Sequence, residues 1–217
     1  MILGGLDIHE ATATTLFVFL FTGLLGTWMF HRRGHLYPRI AAPVCIGSVA
    51  FSYLGAFVNA MVESRPLTII IAAVIVFSGV YVLLPARHAE GSYRDGRGAS
   101  QQALLFGAGA LSGFGSGLSG AGGAVFSVPL MLILGFKPLA AIGTSQVLQI
   151  VVATSGTAGN LRYGSVNFMA AAWVVLFALA GVAIGVRTAQ SASALVQRRM
   201  VAGLCIVVGA FMLVRSL

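Results

Sequence analysis

"GFGSGLSGAGGAVFSVP", residues 113–129, holds six glycines and three serines without a single charge, inside an apolar run that extends from about 101 to 135. Some 35 apolar residues are too many for one straight crossing. At 1.5 Å per residue they would reach roughly 50 Å, against ~30 Å of bilayer hydrocarbon. Such a run must tilt strongly, break, or fold back as a hairpin, and the glycines mark where. Glycine weakens a helix by about 1 kcal/mol relative to alanine, so the cluster at 113–123 predicts an interrupted segment. Irregular backbone at membrane depth is tolerated only where protein buries it or water reaches it.

The rest of the chain reads the same way. Of its 217 residues 58% are hydrophobic and 8% charged, with mean hydropathy +0.96. A soluble domain carries about 25% charged residues, so this composition cannot cover a water-facing surface. Further apolar blocks lie near 11–30, 40–62, 66–85, 140–160, 166–187 and 198–215. Blocks of about 20 residues without strict alternation exclude a β-barrel. The expected fold is an all-α polytopic membrane protein. Trp28 and Trp173 stand near block ends, as interfacial aromatics do.

Sliding the chain against itself by 130 residues pairs Gly5 with Gly135, Ala11 with Ala141, Thr14 with Thr144, Gly26 with Gly156, Arg32 with Arg162, Gly55 with Gly185 and Gly79 with Gly209. One ungapped offset over most of the chain predicts two tandem repeats. The divisions are a first membrane repeat at 1–85, a basic linker at 86–100 and a second repeat at 101–217. The counterpart of the glycine-rich segment would then precede Met1. This predicts an N-terminally truncated reading frame, with a one-sided natural variant as the alternative. MILGGLDIHEA lacks the basic start and cleavage site of a signal peptide. If 101–135 crosses once the copies are parallel; if it folds back they are inverted, and the placement of Arg162, Arg187, Arg198 and Arg199 leans towards inversion.

The net charge of +8 reflects arginines between blocks, at 31–39 and 86–100 above all. They are topology determinants that place both stretches in the cytoplasm, and they give no reason to expect nucleic acid. Cys45 and Cys205 lie inside apolar blocks with no ligand spacing. His31 and His35 are four apart but flank Arg32 and Arg33, a solvated turn rather than a metal pair. Asp7, Glu10, Glu63, Glu90 and Asp95 fall at block edges or in loops, so no carboxylate relay can be drawn. No triad or phosphate loop appears. No enzyme, cofactor or metal is expected.

What remains within the blocks is neutral. A broken helix presents free N–H groups and a positive dipole end, which hold an anion without lysine. The candidate anion-binding residues are Gly117, Ser119, Gly120, Gly122 and Gly123, with Thr144, Ser145 and Gln146 of the next block and Thr14 and Thr15 as their counterparts in the first copy. The competing reading is close packing alone, since small residues three and four apart let membrane helices approach.

The motif GFGSGLSGAGGAVFSVPLMLILGFKPLAAIGTSQ, residues 113–146, resembles the glycine-rich stretch, Val-Pro, Leu-Gly and Thr-Ser of the TauE/SafE family of sulfite exporters and related anion permeases. A degenerate echo is LGGLDIHEATATT at 3–15. The resemblance implies two repeats of about four membrane segments and a carrier in the bacterial plasma membrane. It implies small anionic substrates such as sulfite or organosulfonates, no enzymatic activity and no prosthetic group. Homo-oligomers are compatible with it. The alternative is a membrane assembly or partner subunit derived from a truncated transporter.

Overall fold

The computed structural model describes residues 8–61, 64–83, 95–119, 123–163 and 168–216. Among these residues the chain forms eight helices and no strand: α1 (Ile8–Arg32), α2 (Pro38–Met61), α3 (Ser64–Leu83), α4 (Ala99–Ser119), α5 (Ala124–Ile133), α6 (Pro138–Tyr163), α7 (Phe168–Ser191) and α8 (Ala194–Ser216). Of the divisions expected from the sequence, most of the linker at 86–100 and residues 1–7 of the first repeat lie outside the described residues.

The long apolar run folds back on itself. A Cβ added to Gly115 would lie 3.1 Å from the Phe126 ring. In one unbroken helix those two Cα atoms would stand about 16.5 Å apart, beyond the reach of a phenylalanine. α4 and α5 therefore form a helical hairpin whose reversal falls in the glycine cluster. α5 is apolar all round, as a central helix must be. Its Phe126, Ser127, Val128, Pro129, Met131 and Leu132 are all buried; Val128, Met131 and Leu132 share a core with Val44, Val82, Leu105, Leu148 and Ala202, and Phe126 clusters with Ile75 and Cys205.

α4 runs parallel to α2 along a seam of backbone on backbone. A Cβ on Gly109 would come 2.7 Å from Val44 Cα, one on Gly113 2.5 Å from Ser48 Cα, and one on Gly47 2.9 Å from the Ala110 nitrogen. Glycine is the side chain that admits this approach. α3 and α8 pack antiparallel by the same device: Gly79 lies against Ala202 and Cys205, and Gly209 against Ala72 and Val76.

The helices begin in a regular relation. α1, α2 and α3 start at 8, 38 and 64; α6, α7 and α8 start at 138, 168 and 194, each 130 residues later. Exchanging partners by that spacing turns the Gly79–Ala202 contact into the Gly209–Ala72 contact, and both are present. α1 crosses α6 antiparallel. Gly23 meets Ile150 while Gln149 Nε2 reaches the Phe19 carbonyl at 3.4 Å. Residues 19 and 149 are themselves 130 apart, so this contact joins two positions separated by the same spacing as the helix starts.

Basic side chains gather at one end. Arg32, Arg33 and Arg39 flank the α1–α2 loop, Arg97 precedes α4, Lys137 precedes α6, and Arg187, Arg198 and Arg199 flank the α7–α8 connection. The Arg33 guanidinium donates to Gln190 Oε1, and Arg198 donates to the Val82 carbonyl at 3.2 Å. The flanks of the bundle are apolar instead: Tyr53, Phe77 and Phe177 are 70–80% exposed, a surface suited to hydrocarbon. Among the described residues, Phe168–Ser191 and Ala194–Phe211 are helices long and apolar enough to cross a membrane.

Candidate functional site

α5 begins in the interior. Its N-cap, Gly123, is buried, and no side chain caps the helix. A Cβ there would lie 2.5 Å from Leu148 Cδ2. Leu148 is the eleventh residue of α6, about 15 Å along that helix at 1.5 Å per residue. The first N–H groups of a helix have no partner inside it, and they carry the positive end of its dipole. The fold thus sets a helix N-terminus halfway along its neighbour, away from either end of the bundle.

Three buried hydroxyls on the elements around it have no hydrogen-bond partner among the described residues: Ser116 on α4, Ser127 on α5 and Thr144 on α6. They are 2%, 0% and 1% exposed. The antiparallel register that sets Gly123 against Leu148 brings Ser127 level with Thr144. An unsatisfied buried polar group costs about 1–3 kcal/mol, and most such groups in folded proteins are paired. By contrast the Ser112 hydroxyl donates to the Ala108 carbonyl at 2.6 Å, and Ser145 to Ile142 at 2.7 Å. Those two hydroxyls are spent on their own helices.

A second polar feature opens between α1, α6 and α7. It is a groove of about 470 Å³ whose polar lining is Thr15, Thr22, Gln146 and Gln149. Gln149 Nε2 donates to Thr22 Oγ1 at 2.9 Å across the α1–α6 crossing. The Gln146 side chain lies over Gly26, where a Cβ would meet its Cδ at 2.8 Å. Among the described residues that line it, none is charged.

The residues expected from the sequence divide between these places. Gly123 is the N-cap of α5, and Thr144, on α6, is level with Ser127 in the first turns of α5; Thr15 and Gln146 line the groove. Ser145 and Thr14 are buried, and Gly117 is partly buried near the end of α4. Ser119 is the last residue of α4, while Gly120 and Gly122 lie outside the described residues. Thr14 and Thr144 do not meet. Each stands five residues before the 19/149 level on antiparallel helices, about 7.5 Å to either side of it. The sequence reading left out Thr22, a single hydroxyl in an apolar run. Its signal was proximity to position 19, the mate of Gln149 at the 130 spacing.

Among the described residues no group of three His, Cys, Asp or Glu side chains could hold a metal. A family model described as sulfite exporter TauE/SafE matches residues 1–212. The chain belongs to the sulfite exporter TauE/SafE family. Two Bacillus subtilis (strain 168) proteins are similar to this TauE/SafE chain. The probable membrane transporter protein YdhB is 24% identical over 186 residues, covering 84% of this chain and 75% of YdhB. The probable membrane transporter protein YjnA is 33% identical over 72 residues, covering 32% of this chain and 28% of YjnA. No solved structure matches the chain.

Proposed function

We propose that this TauE/SafE member is a multi-pass carrier of small oxyanions in the bacterial plasma membrane, with sulfite or an organosulfonate as the substrate class. The family and the relatives named as probable membrane transporters support transport. One observation carries the anion: a helix N-terminus buried midway along α6, with the unpartnered Ser127 and Thr144 hydroxyls beside it. N–H groups and hydroxyls bind an oxyanion without a cation, and the positive end of a dipole favours it.

The helix starts at a constant spacing and the antiparallel α1–α6 and α3–α8 pairs support an inverted duplication, the architecture of many secondary transporters. The α1–α6–α7 groove at the 19/149 level then offers a neutral polar route alongside the pseudo-axis. The crowded arginines orient their end towards the cytoplasm.

Uptake and efflux of sulfite and of a sulfonate by cells producing Ser127→Ala or Thr144→Ala tests this reading. Each change removes one hydrogen bond to a charged ligand, about 1.5–3 kcal/mol, or roughly 10- to 150-fold in affinity. Stability should hold or rise, because an unpaired buried hydroxyl is lost. Unchanged transport by both variants would leave close packing as the role of this segment.

A second reading, assembly with another membrane helix through α7, is favoured by one contrast. Gly55 of α2 lies against Phe114 of α4, whereas a Cβ added to Gly181, or to Gly185 at the 130 spacing from Gly55, would meet nothing from another helix within 4 Å among the described residues. Copies bearing Gly185→Cys should cross-link to a partner in native membranes if that face is an assembly surface.

A further inference from the structure

At the arginine-rich end, three cations from three separate segments border one cavity of about 500 Å³. Arg39 stands in the first turn of α2, Arg97 in the turn before α4, and Lys137 immediately before α6. Lys137 is the single lysine of the chain. One carboxylate joins the lining: Asp95 Oδ2 is 3.2 Å from Arg97 Nε, and its Oδ1 accepts the Arg97 N–H at 3.2 Å. Among the described lining residues, three positive charges stand against one negative, a net of +2. Gathered like charges repel, so the arrangement is favourable with an anion among them.

The backbone holds these residues together. Pro43 has no N–H, so the Arg39 carbonyl loses its donor within α2. Gln102 of α4 supplies the replacement: its Nε2 donates to the Arg39 carbonyl at 3.0 Å. Gln101 accepts the Gly96 N–H at 2.7 Å, and Gly96 takes φ +74°, which fixes the turn carrying Arg97. α2 and α6 each open at the cavity with a proline in the first position, Pro38 and Pro138. Two helix N-termini therefore add their partial positive charge to the three side chains.

We propose that this cavity binds a phosphate- or sulfonate-type oxyanion, either free in solution or as the phosphate of an anionic phospholipid. It lies at the end of the bundle, where headgroups sit, and basic pockets between membrane helices on that side suit such groups. The site is separate from the buried start of α5, and binding is read without transport.

The test uses the full chain in nanodiscs. Binding of inorganic phosphate is followed by calorimetry in zwitterionic nanodiscs, and retention of phosphatidylglycerol by native mass spectrometry in mixed ones. Lys137→Gln and Arg97→Gln should each weaken binding roughly 10-fold at low ionic strength, the lower end for a hydrogen bond to a charged group because Arg97 is largely exposed. Asp95→Asn should tighten it, and Arg187→Gln, on α7 away from the cavity, should leave it unchanged. Loss in the phosphate arm identifies a soluble anion as ligand; loss in the lipid arm alone identifies the headgroup. Neither probe binding, or equal loss in the Arg187→Gln control, would overturn the proposal.

Discussion

Replacing Gly113 by alanine probes the seam between α2 and α4. The new methyl would lie 2.5 Å from Ser48 Cα and on the Ser48 carbonyl oxygen, whereas carbon atoms settle about 3.5–4.0 Å apart. Neither neighbour is the end of a flexible side chain. The helices must therefore part by about 1 Å, and a gap of that size forfeits up to about half of each dispersion contact along the seam. Overpacking costs about 1–3 kcal/mol, and a clash with backbone belongs at the upper end. Alanine returns about 1 kcal/mol by relieving the helix penalty of glycine. The net loss is about 2 kcal/mol. Gly185→Ala makes the same chemical change where nothing lies within 4 Å, and should gain up to about 1 kcal/mol. The two variants should thus differ by about 3 kcal/mol in SDS-titrated unfolding from mild detergent. Equal stabilities would refute the backbone seam.

Gln149→Leu removes the amide that joins Thr22 and Phe19 of α1 to α6. It should cost about 0.6–1.7 kcal/mol in the same unfolding titration, and an unchanged midpoint would mean the contact contributes nothing. For sidedness, cysteines at Gly98 and Ser193, both exposed at the arginine-rich end, should resist a membrane-impermeant thiol reagent in intact cells and label after lysis. Ready labelling of intact cells would reverse the orientation.

Much of the fold was legible because membrane burial writes itself into local composition. The apolar blocks gave the helices, and the excess length of 101–135 with its glycines gave an interruption; that it is a fold-back, with Phe126 beside Gly115, came from the structure. The partners of each helix were not legible. Nothing at Gly47 or Gly109 says that they share a seam, because small residues permit approach without naming a neighbour. Thr144 could be picked as a polar group in an apolar run, yet its unpartnered state depends on what surrounds it. Arg39, Arg97 and Lys137 read as separate loop charges. Only the fold, with Pro43 freeing a carbonyl for Gln102, brings them to one cavity.

The contrast between the seams has a mechanical meaning. Where α2 meets α4, peptide groups bear directly on peptide groups, and nothing soft lies between the two rods. Where α1 meets α6, Gly26 faces only the flexible Gln146 side chain, and Gly23 meets the Ile150 side chain ahead of the Gln146 carbonyl and the Ile150 nitrogen, which a Cβ would approach to 3.1 and 3.3 Å, a looser approach than at Gly109 or Gly113. The first junction is stiff and the second compliant. Strain applied to the bundle will therefore concentrate at the α1–α6 crossing, and α2 with α4 will travel as one body.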